Sequence, residues 1–157
     1  MLDNHIIIRI AWVYGANGRN FVKTIVRLGR EQMDHVARQL PAAPLQVVND
    51  QIGNPTCTID IVHQTDRVLQ SGLYGVFHST SENPVSWYEF TRDVFDELKM
   101  TVNVRPCTTE EFKRAAKRPA NSALENARLK EARINVMRDY RQALHEFVAL
   151  HKENLLQ

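Results

Sequence analysis

IIIRIAWVYGANGRNF, residues 6–21, decides how the rest of the chain is read. Residues 5–11 (HIIIRIA) are a short, β-branched apolar run. Such a run suits a strand covered on both faces, as in a parallel sheet. Two glycines follow, Gly15 and Gly18, and a helical period begins at residue 20. Strand, glycine turn and helix is also the order of a dinucleotide-binding fingerprint, which needs three glycines. Here the third position is Phe21, where a bulky ring opposes close approach of helix and backbone. No acidic residue closes a following strand about 20 residues on, as the fingerprint also requires. The glycines therefore read as a plain strand-to-helix turn. Trp12, Tyr14 and Asn20 ask for more, because residues just past a parallel strand lie where α/β sheets bind ligands. A large aromatic there forms a flat wall for a sugar or a ring.

Outward from this stretch the period alternates. Phe21, Val22, Ile25, Val26, Met33, Val36, Ala37 and Leu40 recur at helical spacing, with Gly29 a possible interruption. PAAP at 41–44 ends that helix, since proline cannot continue one. LQVV (45–48) reads as a strand and NDQIGNPT (49–56) as a turn-rich loop. A second helix covers 58–70, with Ile59, Val62, Val68 and Leu69 inward, and GVFHST (75–80) is another buried strand. SWYE (86–89) is a capping box opening a helix to about Lys99, with Phe90, Val94, Phe95 and Leu98 inward. VNVRP is a short strand, and TTEE (108–111) a further possible cap. Asp139 caps a final helix whose Tyr140, Leu144, Phe147 and His151 share a face. Strands alternate with helices, so the class is α/β. Only about two long buried strands are visible, which is thin for a complete doubly wound domain.

Bulk properties exclude several functions. With 157 residues the chain has room for one domain with a real core. Twenty basic against 18 acidic residues gives net charge +2, too balanced for a nucleic-acid surface. No stretch approaches the roughly 18 apolar residues of a membrane span. MLDNHIIIRI does not read as a secretory signal, so a cytoplasmic location is expected. Cys57 and Cys107 lack CxxC spacing and read as free thiols.

The catalytic motifs are sparse. A short-chain reductase needs Tyr-x-x-x-Lys, in which the lysine lowers the tyrosine pKa for proton transfer. Four residues after the four tyrosines stand Gly18, His78, Arg92 and Leu144, so the pair is missing and no catalytic residue is assigned. The six histidines show no metal spacing and no GxSxG elbow occurs, so no metal site is assigned. Two loops carry polar chemistry. DQIGNPT (50–56) is explained as a turn by Gly53, Asn54 and Pro55, but not at its flanks Gln51 and Thr56. AKRPANS (116–122) sets Lys117 and Arg118 before a stiffening proline. It reads either as a solvated basic turn or as an anchor for a diphosphate, whose oxygens a guanidinium can fork.

Together these segments resemble one family. IIIRIAWVYGANGRNFVKT, VVNDQIGNPT, GVFHST…SWYEFTRDVF, RPCTTEEF, AKRPANSALENARLKE and RDYRQALHEF follow in the order found in dTDP-4-dehydrorhamnose reductases, over about residues 5–150. The resemblance implies an extended short-chain reductase fold. It implies NADPH (or NADH) as hydride donor and reduction of the 4-keto group of dTDP-4-dehydro-6-deoxy-L-mannose to dTDP-L-rhamnose, for cell-envelope polysaccharide. It also implies that this chain corresponds to the C-terminal half: the last strands of a Rossmann-like cofactor sheet plus a small α+β substrate-binding lobe. Missing glycines, missing Tyr-x-x-x-Lys and few strands then share one explanation, and the chain alone is expected to be inactive. Residues about 5–40 and 58–80 would belong to the sheet, and about 41–57 and 81–157 to the lobe, within one unit.

By the same resemblance, Trp12 packs against the deoxysugar with Tyr14 beside it. Asn20 and Phe21 line or support the pocket, Gln51 and Thr56 shape its rim, and Arg118 with Asn121 holds the diphosphate. The chain departs from the family at Ile10 (usually threonine or serine), Cys57 (often tyrosine) and Tyr140 (often tryptophan). MDHVARQLPAAP also lengthens one connection. A non-catalytic regulatory module on the same scaffold and another nucleotide-sugar reductase or epimerase are the alternatives. Half a parallel sheet leaves a strand edge open, so association, for instance as a homodimer, is expected.

Overall fold

The structure, a computed structural model, describes residues 4–112 and 118–156. Lys117 lies outside the described residues. The order is β1 (Ile6–Arg9), β2 (Val13–Tyr14), α1 (Phe21–Ala37), β3 (Leu45–Val48), β4 (Ile52–Gly53), β5 (Thr56–Cys57) and α2 (Thr58–Gln70). Then come β6 (Gly75–His78), β7 (Val85–Ser86), α3 (Trp87–Leu98), β8 (Val104–Cys107), α4 (Ala127–Glu131) and α5 (Tyr140–Leu155). The strands form four pairs. β1–β6, β2–β5 and β3–β8 are parallel, and β4–β7 is antiparallel. The fold is α/β, as the alternation implies.

One core holds α1, α3 and α5 together. Val22, Ile25 and Val26 of α1 meet Phe90, Val94 and Phe95 of α3, and Tyr140, Leu144 and Phe147 of α5 close the group. Burying each such aromatic contributes on the order of 1.5–3 kcal/mol. A smaller cluster of Val68, Phe77 and Leu129 underlies the β1–β6 pair. No helix among the described residues is long and apolar enough to cross a membrane.

Local chemistry sets the helix ends. Asn20 caps α1, its side chain accepting from Lys23 N at 3.1 Å. Gly29 does not interrupt this helix. It admits the Phe95 ring, which a Cβ there would meet at 2.7 Å. The helix stops at Ala37, short of PAAP. The Ser86–Glu89 capping box forms as read, and Asp139 caps α5 by accepting from Arg141 N at 2.7 Å. Thr108 and Glu111 bond reciprocally in the same way.

The structure corrects several burial expectations. β1 is not covered on both faces: Ile6 and Ile8 are half-buried, while Ile7 is 49% exposed. The described chain covers one face of this strand only. On α2, Val62 and Leu69 are exposed, and Asp60 and Gln64 are buried with Val68. The inward face is polar because it grips residues 134–138. Gln64 Nε2 donates to Ile134 O (3.0 Å), Val136 N donates to Gln64 Oε1 (2.7 Å), and Arg138 forks the Asp60 carboxylate. On α1, Val36 faces solvent and Gln32 is buried, tying Ala43 and Asn103 to the helix. The two edges of the β1–β6 pair also differ. Arg128 donates to the carbonyls of Tyr74 and Val76 and lies over the Phe77 ring, so it covers the outer edge of β6.

Candidate functional site

Four segments converge on a cleft of about 200 Å³. The turn after β1 brings Ala11 and Trp12, and the loop before β4 brings Gln51. The first residue of α3 is Trp87, and the segment 118–122 supplies Arg118, Pro119 and Ser122. Trp12 and Trp87 stack, their ring centroids 3.5 Å apart and their planes 5° from parallel. Phe21 leans on the far ring, 4.3 Å from Trp87. The wall is thus a layered aromatic surface.

Trp12 is built into place. Its φ of 45° lies in the left-handed region, which costs a non-glycine residue on the order of 1–3 kcal/mol and persists only where the surroundings over-determine it. Here the indole rests against Gly53, where a Cβ would stand 2.3 Å from its Cε2. Indole Nε1 donates to Ser122 Oγ at 3.1 Å. The turn glycine of DQIGNPT therefore has a second purpose, to leave room for a tryptophan ring.

Gln51 is buried and its amide donates to Thr109 Oγ1 at 2.9 Å. Asp50 receives both Thr109 N and Thr109 Oγ1 at 2.8 Å. Those hydrogen bonds, the backbone one first, hold the Asp50 carboxyl below its ordinary value. Arg118 is exposed at the mouth of the cleft. The arrangement offers a flat apolar wall, a fixed amide and an exposed cationic fork. That set suits a ring carrying an anionic group. No group of three or more His, Cys, Asp or Glu among the described residues has the geometry to hold a metal ion.

Several expected site residues stand elsewhere. Tyr14 does not lie beside Trp12 in the cleft. It is 1% exposed, its ring packed on Phe90 and Phe147, and its buried hydroxyl has no hydrogen-bond partner among the described residues. Burial first, then the nearby Cys57 and Asp60, pushes its pKa far above the usual value. Asn20 is engaged at both ends, accepting from Lys23 N and donating to Gly15 O at 2.8 Å, so it shapes the turn. Phe21 supports Trp87 from behind. Thr56 is fully buried, donating to Asn54 O and accepting from Ser81 N, so it fixes the loop rather than a rim. Asn121 accepts from Ala123 N in a local turn. Trp12, Gln51 and Arg118 are brought together, and Trp87 and Ser122 join them. Those two lay inside SWYEF and AKRPANS. The clue to Trp87 was its place directly after a capping serine, at the start of a helix whose buried stripe begins only at Phe90.

The glycine turn packs against other parts of this chain. A Cβ on Gly15 would meet Thr58 Oγ1 at 2.4 Å, so this glycine packs against the start of α2. Lys23 Nζ donates to Ala16 O, closing the turn on itself. No reaction step is assigned to this turn.

The comparisons with known proteins bear on this geometry. A family model described as the RmlD substrate binding domain matches residues 1–152. The chain belongs to that family. A dTDP-4-dehydrorhamnose reductase of Aggregatibacter actinomycetemcomitans is 36% identical over 151 residues, covering 88% of this chain and 48% of that protein. A probable dTDP-4,6-dihydroxy-2-methyloxan-3-one 4-ketoreductase of Streptomyces antibioticus is 34% identical over 145 residues, covering 89% and 45%. The solved dTDP-4-dehydrorhamnose reductase of Clostridium acetobutylicum superposes with TM-score 0.84 at 38% identity, covering 94% of this chain and 49% of that one. That of Bacillus anthracis, in complex with NADP, gives 0.82 at 35%, covering 92% and 48%. This RmlD-type chain spans about half the length of the relatives it matches.

Proposed function

We propose that this chain is the sugar-nucleotide-binding half of a dTDP-4-dehydrorhamnose reductase-like enzyme. The whole enzyme would reduce the 4-keto group of dTDP-4-dehydro-6-deoxy-L-mannose to dTDP-L-rhamnose with a hydride from NADPH. The observation that carries this reading is the cleft with a tryptophan wall at one side and Arg118 at its mouth. In it, Trp12 packs against the deoxysugar and shields it from water. Gln51 orients a sugar hydroxyl, and Arg118 forks oxygens of the diphosphate. The cofactor and the proton-transferring tyrosine would belong to residues outside this chain, as the glycine turn and the four tyrosines suggest. Residues about 5–40 and 58–80 would complete the cofactor-side sheet, and about 41–57 and 81–157 the substrate lobe.

The Streptomyces antibioticus relative is named for a different substrate at nearly the same identity. Discrimination between related sugars needs only contacts worth ~1–3 kcal/mol each. Calorimetric titration of the chain with dTDP-rhamnose tests the reading. Saturable binding that Arg118→Ala weakens by about tenfold or more supports it, at the usual strength of a charged hydrogen bond. Equal affinity for the variant removes the diphosphate role.

A further inference from the structure

The Ser122 hydroxyl occupies a junction. It accepts from Trp12 Nε1 at 3.1 Å and donates to Ile52 O at 3.1 Å. Ser122 N donates to the same carbonyl at 2.8 Å, and Ile52 N donates to Ala120 O at 2.8 Å. One side chain thereby links the indole, the DQIGNPT loop and the segment that carries Arg118. Without that link, nothing in the hydrogen bonding of Trp12 would fix the angle of its ring within its plane. Gly53 limits how close the ring lies, and Trp87 limits its tilt.

We propose that Ser122 is a positioning residue of the cleft. It sets the Trp12 indole and ties it to the chain bearing Arg118, so that aromatic wall and guanidinium meet a sugar nucleotide in one fixed relation. The role needs a hydroxyl that accepts and donates at once. Threonine can meet that need and alanine cannot. The ligand in this inference rests on the function proposed above, whereas the geometry does not.

The test is the indole N–H signal of Trp12 in the 157-residue chain, assigned by its loss in Trp12→Phe. In the wild type it lies downfield and exchanges with water more slowly than the indole of free tryptophan. In Ser122→Ala it moves upfield and exchanges faster. Affinity for dTDP-rhamnose falls by about threefold to tenfold, the ordinary effect of one neutral hydrogen bond. Ser122→Thr restores both. A Trp12 signal unmoved in Ser122→Ala overturns the proposal. So does a wild-type Trp12 indole that exchanges as fast as free tryptophan, a reading that needs no variant to fold. If wild-type chain does not bind dTDP-rhamnose, the functional reading fails, while the indole signal still decides the role of Ser122.

Discussion

Trp12 and Trp87 lie face to face with ring centroids 3.5 Å apart and planes 5° from parallel, one on a turn and the other at a helix start. Two indoles so close couple their transitions. The far-ultraviolet circular dichroism should carry an exciton couplet that disappears in Trp87→Leu and in Trp12→Phe. Loss of the stacked pair in Trp87→Leu should lower stability by about 0.5–1.5 kcal/mol beyond the area removed, read by urea denaturation. A spectrum indifferent to either substitution would mean the wall is not assembled in solution.

Tyr14 supplies a test in the opposite direction. Its buried hydroxyl has no partner among the described residues, so it carries a desolvation cost with no bond to offset it. Tyr14→Phe should leave stability unchanged or raise it by about 1 kcal/mol, and should leave sugar-nucleotide affinity alone. Truncation to alanine removes a ring packed between Phe90 and Phe147 and should cost about 3–5 kcal/mol. Reduced binding by a stable Tyr14→Phe protein would return Tyr14 to the site.

Arg128 guards the β6 edge by occupying the Tyr74 and Val76 carbonyls. An uncovered strand edge is a template for pairing with another chain. Sedimentation velocity should show more association for Arg128→Ala than for the wild type, increasing with concentration. Equal sedimentation of the two proteins would remove this protective role.

Stability should fall in acid through Glu82. Partial burial opposes its ionisation, but hydrogen bonds from Lys130, Asn126 and Asn135 outweigh that and hold its pKa below the ordinary value. A carboxylate depressed by folding stabilises the protein above its unfolded pKa and loses that contribution as pH falls through the folded one. The melting temperature should therefore drop below about pH 4.5, and Glu82→Gln should flatten part of the drop. Lys130 is raised by its bonds to Glu125 and Glu82, so its contribution is present below its unfolded pKa and fades only in strong alkali. An unchanged acid limb in Glu82→Gln would place the loss elsewhere.

The elements that announce themselves locally were legible in the sequence. The Ser86–Glu89 box, the Asp139 cap and the apolar stripe of α3 are set by neighbours within a turn or two. What was not legible depends on distant partners. Val62 and Leu69 look inward by composition, yet the face of α2 turns on Gln64 and Asp60, whose partners are some 70 residues away. Tyr14 and Trp12 differ by two positions, but the left-handed backbone at Trp12 sends one ring to the cleft and leaves the other in the core. The DQIGNPT loop hid β4 and β5 because strands of two residues have no period to detect. Of the site, Trp12, Gln51 and Arg118 could be named from segment chemistry. Trp87 and Ser122 became visible only once the cleft placed them against Trp12.

Receipt of a dTDP-sugar by the Trp12–Arg118 cleft can be measured in solution. The most direct measurement is a tryptophan fluorescence titration of the chain with dTDP-rhamnose, run beside Trp12→Phe and Arg118→Ala. The expected result is a saturable change in the wild type, lost or reduced in amplitude in Trp12→Phe and shifted to weaker affinity in Arg118→Ala. A folded wild-type chain with no saturable response, or one whose response both variants retain in full, would contradict it.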